Sequence, residues 1–497
     1  MRARLSALLL LGACFLGAAA QAATERVVVG SKNFPEGRLL GELVAQLLEA
    51  RGLAVGRRLG LGGTMIAYEA LRNGDIDVYV EYTGTITETI LEAPVATTRE
   101  ALAAPLAKLG LRTLPALGFE NSYALAVAGE LARTEGLETL SDLARLQDVR
   151  AAVTHEFKDR SDGWRRLRER YGFTFDARGI DNGLAYQALA AGRLDVTDAY
   201  TTDGELLRYD VTVLEDDRRF FPRYEALPLV RLDFPARAAD VLAELAGRID
   251  VERMQTLNAE IVVHGRSFEA VAAEFLAEAG LAAARPGAAD APASRLLRNT
   301  LDHLRLTGVA LGLAGVLGLP LGIVVHRSRR LAGAVLYGAG LLQTIPSIAL
   351  LALMIPLFGI GWMPAIVALF LYSLLPILRN TITALLTVDP VLRRVAVGMG
   401  LTPLQQVRWL LLPMALPTIL AGVRTAAVIS IGTATLAAFV GAGGLGEPIV
   451  TGLSLNDPRL ILQGAVPAAL LALATELAFE LLERRLVPPP LRREPLG

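Results

Sequence analysis

The chain has 497 residues, of which 53% are hydrophobic and 20% charged, with a formal net charge of -1. That length predicts two or three domains and the hydropathy exceeds that of an ordinary soluble protein, while a balance this near neutrality argues against a nucleic-acid partner, and the clustered excess of Lys and Arg that such a partner requires does not appear. The single cysteine, Cys14, excludes an internal disulfide framework and any cysteine metal or redox motif, and His155, His264, His303 and His326 lie too far apart for a compact metal site.

Residues 1–23 open with Arg2 and Arg4, run through an apolar stretch and reach Ala20-Gln21-Ala22, the pattern of a secretory signal peptide. An uncleaved anchor helix is the competing reading. Leu11-Gly12-Ala13-Cys14 has the form of a lipoprotein box, but the residues after Cys14 stay apolar where a lipidated end turns polar.

Residues 24–285 carry the charge density of a globular domain. Short apolar runs such as RVVVG, DIDVYVEY and YALAVA alternate there with helical patterns such as EGRLLGELVAQLLEARG, so the expected class is α/β. Within this domain AYEALRNGDIDVYVEYT (67–83) aligns without gaps on AYQALAAGRLDVTDAYT (185–201), with nine of 17 positions identical. Each copy reads as a helix, a turn at Gly74 or Gly192, and a strand leading to a loop near Tyr82 or Tyr200. Two such units predict a bilobed binding protein that holds a ligand between loops at the strand ends.

Tyr68 and Tyr186, in mid-helix, are expected in packing. Tyr82 and Tyr200 adjoin the Thr-rich loops YTGT and YTTDG and are expected to face one cleft from opposite lobes. Tyr123 and Tyr224 lie in loop-like contexts and extend the aromatic set. Several rings at one cleft suit a quaternary ammonium group, which has no N–H to donate and is held on electron-rich ring faces. The carboxylate of a zwitterionic ligand would also need a cation, and Lys32 or Arg160 could supply it. Taken alone, each reads as a solvated surface charge, and its place beside an expected strand end is what favours the ligand role.

Ala- and Pro-rich residues 286–297 are the expected linker. From 298 to 486 the texture becomes that of a membrane domain. Apolar stretches at about 304–325, 332–358, 364–380, 415–440 and 460–482 approach the ~20 residues that cross a bilayer core, which gives about five helices. Arg327, Arg329 and Arg330, then Arg393, Arg394 and Arg408, then Arg484 and Arg485 fall in alternate loops and at the C-terminal end. The positive-inside rule puts these loops and the tail, 487–497, in the cytoplasm and the N-terminal domain on the periplasmic or extracellular side of a bacterial inner membrane. Arg424, inside the fourth stretch, is expected in bundle packing.

The segments GSKNFPEG, GLGGT, NGDIDVYVEYTGT, NSYALAV, HEFKDRSDGW, DAYTTDG and FFPRYEALP resemble the substrate-binding proteins of osmoprotectant ABC importers, which take up glycine betaine, choline, carnitine and related compounds. The resemblance implies a cage made by Tyr82, Tyr123, Tyr200 and Tyr224, with further ligand contacts from Lys32, Thr85, Asn121 and Arg160. Glu225 departs from it, standing where many relatives carry a second aromatic residue. Relatives with this fold also bind ergothioneine, which keeps an ergothioneine importer of the same architecture as an alternative.

LQTIPSIALLALMIPLFGIG, LLPILRNT, IGTATLAAFVGAGGLG and GLSLND resemble the permease of the same importers. Gly400, nine residues, then Leu410-Leu411-Leu412-Pro413 keep the spacing of the cytoplasmic segment by which such permeases dock on their ATPase. Arg394-Val395-Ala396 stand where the family has Glu-Ala-Ala, so the expected coupling residues are Arg394, Ala396, Gly400, Leu412 and Pro413. The small residues of GTATLAAFVGAGGLG permit close helix contact and suggest a permease homodimer. A phosphate-binding Gly-x-x-x-x-Gly-Lys-Ser/Thr loop is absent, which implies a separate ATP-binding subunit that carries ATP and Mg, with no cofactor on this chain.

The expected protein is therefore a fused binding protein and permease, a transport subunit and not an enzyme. A membrane-tethered ligand sensor is the rival from another class. An enzyme is a weaker third, because Ser31, Ser161 and the scattered histidines form no nucleophile, base and acid cluster.

Overall fold

The computed structural model describes residues 26–92, 98–160, 162–180, 182–283, 292–455 and 457–488. The expected signal segment 1–23, residues 286–291 of the expected linker and the tail from 489 lie outside the described residues. Ten strands are described: β1 (Arg26–Lys32), β2 (Ala54–Leu61), β3 (Val78–Tyr82), β4 (Leu111–Thr113), β5 (Tyr123–Ala128), β6 (Ala151–Thr154), β7 (Ala177–Ile180), β8 (Val196–Tyr200), β9 (Val211–Leu214) and β10 (Ala226–Arg231).

They form two mixed sheets, ordered β2-β1-β3-β10-β4 and β7-β6-β8-β5-β9. The two orders follow one plan: three parallel strands are joined through helices, a fourth (β10 or β5) enters after a crossing between sheets and runs antiparallel beside them, and an edge strand (β4 or β9) pairs with that fourth. Strands such as Val78–Tyr82 and Tyr123–Ala128 are buried along nearly their whole length and, apart from Glu81, carry apolar or aromatic side chains, the pattern of strands covered on both faces. The chain passes from the first sheet to the second before β5 and returns before β10, which makes two lobes.

The internal repeat is the shared element of these lobes. Helix Thr64–Asn73 ends at Gly74 with φ 79° and feeds β3, and helix Asn182–Ala190 is followed by Gly192 with φ 63° and then β8. Both glycines take the left-handed conformation that stops a helix and turns the chain back toward the sheet, which a Cβ would oppose. Tyr82 and Tyr200 are the last residues of the two central strands, and Tyr68 and Tyr186 are buried in packing.

The C-terminal part is helical. Helices Pro292–Val325, Trp362–Leu386 and Pro458–Leu486 and the continuous stretch Pro403–Val440 are long and apolar enough to cross a membrane. The second expected crossing, 332–358, is instead a broken pair. Helices Arg329–Thr344 and Ser347–Phe358 meet at 97°. Pro346 has no N–H for the helix ladder and forces the preceding Ile345 into an extended conformation, φ -70° and ψ 126°. Helix Pro292–Val325 already begins inside the expected linker, because a proline is tolerated at a helix start where the N–H has no partner. Arg424 pairs with Glu476 of the last helix at 3.4 Å, tying two apolar helices together.

The first lobe rests directly on the membrane helices. Ile360 N donates to Asp75 Oδ2 at 2.9 Å, Gly62 N to Phe439 O at 3.3 Å and Arg38 Nη1 to Thr451 Oγ1 at 2.6 Å. Gly359, at φ 71°, forms the socket for Asp75, since a Cβ there would stand 2.4 Å from the carboxylate oxygen. Leu61, Leu71 and Ile76 of this lobe share one buried apolar cluster with Leu306, Leu351 and Ile355 of the helices.

Candidate functional site

The loops at the ends of β1, β3, β6 and β8 converge on a cavity of about 330 Å³ between the lobes, within the range of small-molecule sites. All eight residues singled out for ligand contact line it: Lys32, Tyr82, Thr85, Asn121, Tyr123, Arg160, Tyr200 and Tyr224. Tyr82 and Tyr200 close their strands on opposite lobes, Tyr123 opens β5 directly across from Tyr200, and Tyr224 lies just before β10. The repeat therefore delivers one tyrosine from each lobe to the same space.

A fifth ring, Phe34, completes the set. Its centroid lies 6.3 Å from that of Tyr82 and 6.4 Å from that of Tyr200, while Tyr123 lies 4.9 Å from Tyr200 and 5.7 Å from Tyr224. The rings thus form a continuous arc across both lobes. Tyr200 Oη donates to Tyr123 Oη at 3.2 Å, and burial raises all four phenols above their ordinary range, so each is a neutral ring with an intact hydroxyl.

Each cation at the cavity has its own carboxylate. Lys32 Nζ lies 2.6 Å from Glu81 Oε1 and 5.0 Å from the Tyr82 ring centroid. Arg160 binds Asp162 through Nε and Nη2, both at 2.7 Å, and its guanidinium sits 5.2 Å from the Tyr123 ring centroid. The Tyr224 hydroxyl donates to the same Asp162.

Glu36 is the acidic residue that sequence reasoning missed. It stands in the first turn of helix Pro35–Ala50, where the helix dipole favours negative charge, and is 3% exposed. Its carboxylate accepts from Tyr82 Oη at 2.5 Å and Asn121 Nδ2 at 2.9 Å, and also from Thr202 Oγ1 at 2.5 Å and Asn258 Nδ2 at 2.9 Å. Tyr82 belongs to the first lobe and Thr202 to the second, so one buried carboxylate ties the two together. The sequence signal was Pro35 followed by an acidic residue, which marks a helix start and says nothing of what the carboxylate faces.

Glu225 does not line the cavity. Its N–H donates to Thr83 Oγ1 at 3.1 Å and its backbone bridges Glu120. Ile348, Leu351, Phe439 and Val440 do line it, so the membrane helices supply part of the wall. Among the described residues no group of three or more His, Cys, Asp or Glu could hold a metal ion.

The five coupling candidates are grouped at the far end of the helical part. Arg394 and buried Ala396 lie on helix Pro390–Gly398, Gly400 turns the chain at φ 76°, and Leu412 and exposed Pro413 open helix Leu412–Ala434. Val395, Met399, Leu404 and Trp409 beside them are all more than half exposed, an apolar face of the kind that partners cover.

Residues 25–278 match the family described as the substrate binding domain of ABC-type glycine betaine transport system, and residues 314–488 match the binding-protein-dependent transport system inner membrane component. The helical part is similar to a choline transport system permease protein of Bacillus subtilis, 45% identical over 198 residues, covering 40% of this chain and 91% of that protein. It is likewise similar to an osmoprotectant import permease protein of Salmonella typhimurium, 48% identical over 198 residues, covering 39% of this chain and 92% of that one. A solved glycine betaine/carnitine/choline ABC transporter structure matches at 31% identity and a TM-score of 0.46, over 51% of this chain and 99% of that chain.

Proposed function

The chain belongs to the family of substrate-binding domains of ABC-type glycine betaine transport systems, joined to an inner-membrane transport component, and from that premise we propose that it imports quaternary ammonium compounds of the glycine betaine, choline and carnitine type. It is a transport subunit, multi-pass in the inner membrane, and an ATP-binding partner supplies the energy. The single observation that carries the reading is the arc of four tyrosines and Phe34 from both lobes around one cavity. Methylated nitrogen has no proton to share, so stacked ring faces are the chemistry that retains it.

In this reading Tyr82, Tyr123, Tyr200 and Tyr224 enclose the ammonium group, and Thr85, Asn121, Lys32 and Arg160 surround the rest of the ligand. Closure of the lobes completes the donor shell of Glu36, which couples ligand capture to a single closed arrangement. The binding domain faces the periplasmic or extracellular side and the C-terminus the cytoplasm, following the basic loops. Arg394, Ala396, Gly400, Leu412 and Pro413 form the surface on which an ATPase carrying ATP and Mg docks, and the exposed apolar residues around them support that role. Two copies would pair through the small-residue segment to complete a pathway.

Calorimetric titration of the full chain in detergent with choline, glycine betaine, carnitine and ergothioneine tests the proposal. Saturable binding of at least one of the first three is the expected result. Absence of binding by every one of the four would overturn it, and binding of ergothioneine alone would replace the cargo while keeping the cage.

A further inference from the structure

Resting on the proposed importer reading, we propose that this cleft prefers a quaternary ammonium cation bearing a hydroxyl, of the choline type, over its zwitterionic carboxylate counterpart. Two groups, Arg160 and Lys32, would have to receive a ligand carboxylate, and both are already engaged. Arg160 has already given its fork to Asp162, through Nε and Nη2 at 2.7 Å each, and its remaining nitrogen Nη1 lies 3.7 Å from Glu156. Lys32 is held by Glu81 at 2.6 Å, and Glu81 is fully buried. A bidentate Arg–carboxylate pair is among the strongest of charge-assisted contacts, so a ligand carboxylate would have to displace an internal one of equal strength.

The remaining charge points the same way. Glu36, joined to the cage through the Tyr82 hydroxyl, receives four neutral donors, and Glu156 lines the cavity. With the carboxylates that stand behind the wall as partners of its side chains, Glu36, Glu81 and Asp162, and Glu156 in the wall itself, four carboxylates face two cations, Lys32 and Arg160, an excess of two negative charges around the cleft. At short range in a partly desolvated site, that excess attracts a net cation and repels a carboxylate.

A third, independent observation concerns Asn121. Its Nδ2 faces the Glu36 carboxylate at 2.9 Å, which fixes the orientation of the amide and turns Oδ1 the other way. That Oδ1 is buried and has no hydrogen-bond partner among the described residues, and Asn121 lines the cavity. A buried acceptor left unpaired is costly, and a ligand hydroxyl that reaches it as the lobes settle around the ligand would satisfy it. Choline carries such a donor, and glycine betaine offers acceptors alone.

The test is calorimetric titration of the full chain in detergent at pH 7.5 with choline and with glycine betaine, together with Asp162→Asn, which releases the Arg160 fork. Choline is expected to bind at least tenfold tighter than glycine betaine, and Asp162→Asn to shrink that ratio at least threefold. Glycine betaine binding as tightly as choline, or tighter, overturns the preference while leaving the importer reading intact. Failure of both ligands to bind overturns this inference, and the importer reading falls with it only if carnitine and ergothioneine also fail to bind. A folded Asp162→Asn chain with an unchanged ratio overturns the role of the Arg160 pair, and should that variant fail to fold, the ranking in the unaltered chain decides.

Discussion

Tyr200→Ala is the sharpest probe of the cage. Tyr200 closes β8, lies 4.9 Å from Tyr123 and 6.4 Å from Phe34 by ring centroid, and lines the cavity from the second lobe. Removing it opens one side of the arc. A ring face opposed to a desolvated cation contributes about 1.5–2 kcal/mol, so affinity for choline should fall at least tenfold. Truncating a packed aromatic side chain also costs about 3 kcal/mol of fold stability, which will appear as a lower melting temperature and not as a change in the stoichiometry of binding. Tyr200→Phe separates the two effects. It keeps the ring and loses the 3.2 Å hydroxyl contact with Tyr123, and affinity should stay within threefold. Calorimetric titration of the full chain with choline reads both variants. If Tyr200→Ala is folded and binds within twofold of the unaltered chain, the ring does not hold the ammonium group and the cage argument fails.

Three further outcomes are expected. Gly84→Ala would place its Cβ 2.6 Å from the Tyr224 ring, so it should push that ring aside and weaken choline binding several-fold in the same titration. Gly400 sits at φ 76°, so Gly400→Val strains the turn beside the coupling helix; ATPase activity of the assembled importer should fall while choline affinity is unchanged, and unaltered activity would contradict the docking role. Burial raises the Asp198 carboxyl from 3.8 to about 6, so its proton stabilises the fold fully below pH 3.8, and that contribution is lost as pH rises through 6. The unaltered chain should therefore lose up to about 3 kcal/mol relative to Asp198→Asn between pH 4 and pH 7, and parallel melting curves for the two would refute it.

Much of the fold could be read from local patterns, because the determinants are local. The repeat in 67–83 and 185–201 carries its helix, its left-handed glycine and its strand in consecutive residues, so the placement of Tyr82 and Tyr200 at two equivalent strand ends followed from order alone. The broken second crossing was less legible. Hydropathy counts Ile345-Pro346 as two more apolar residues, whereas the backbone treats Pro346 as a corner. The charge pairs were hidden for a different reason. Lys32 and Glu81 are 49 positions apart, and Glu36 draws donors from as far as Asn258, so no spacing rule connects them. Arg160 and Asp162 are close in sequence, yet a residue two positions away on a turn gives no sign that it will occupy the guanidinium before a ligand arrives.

Because Phe439, Val440, Ile348 and Leu351 form part of the cavity wall, occupancy of the cleft and contact between the first lobe and the helices are thermodynamically linked. Whatever factor the helices add to the affinity for cargo, cargo returns to the grip of the lobe on the helices. A soluble fragment severed at the linker would report a different dissociation constant from the intact chain, and the ratio of the two constants measures how firmly a loaded receptor holds its own channel.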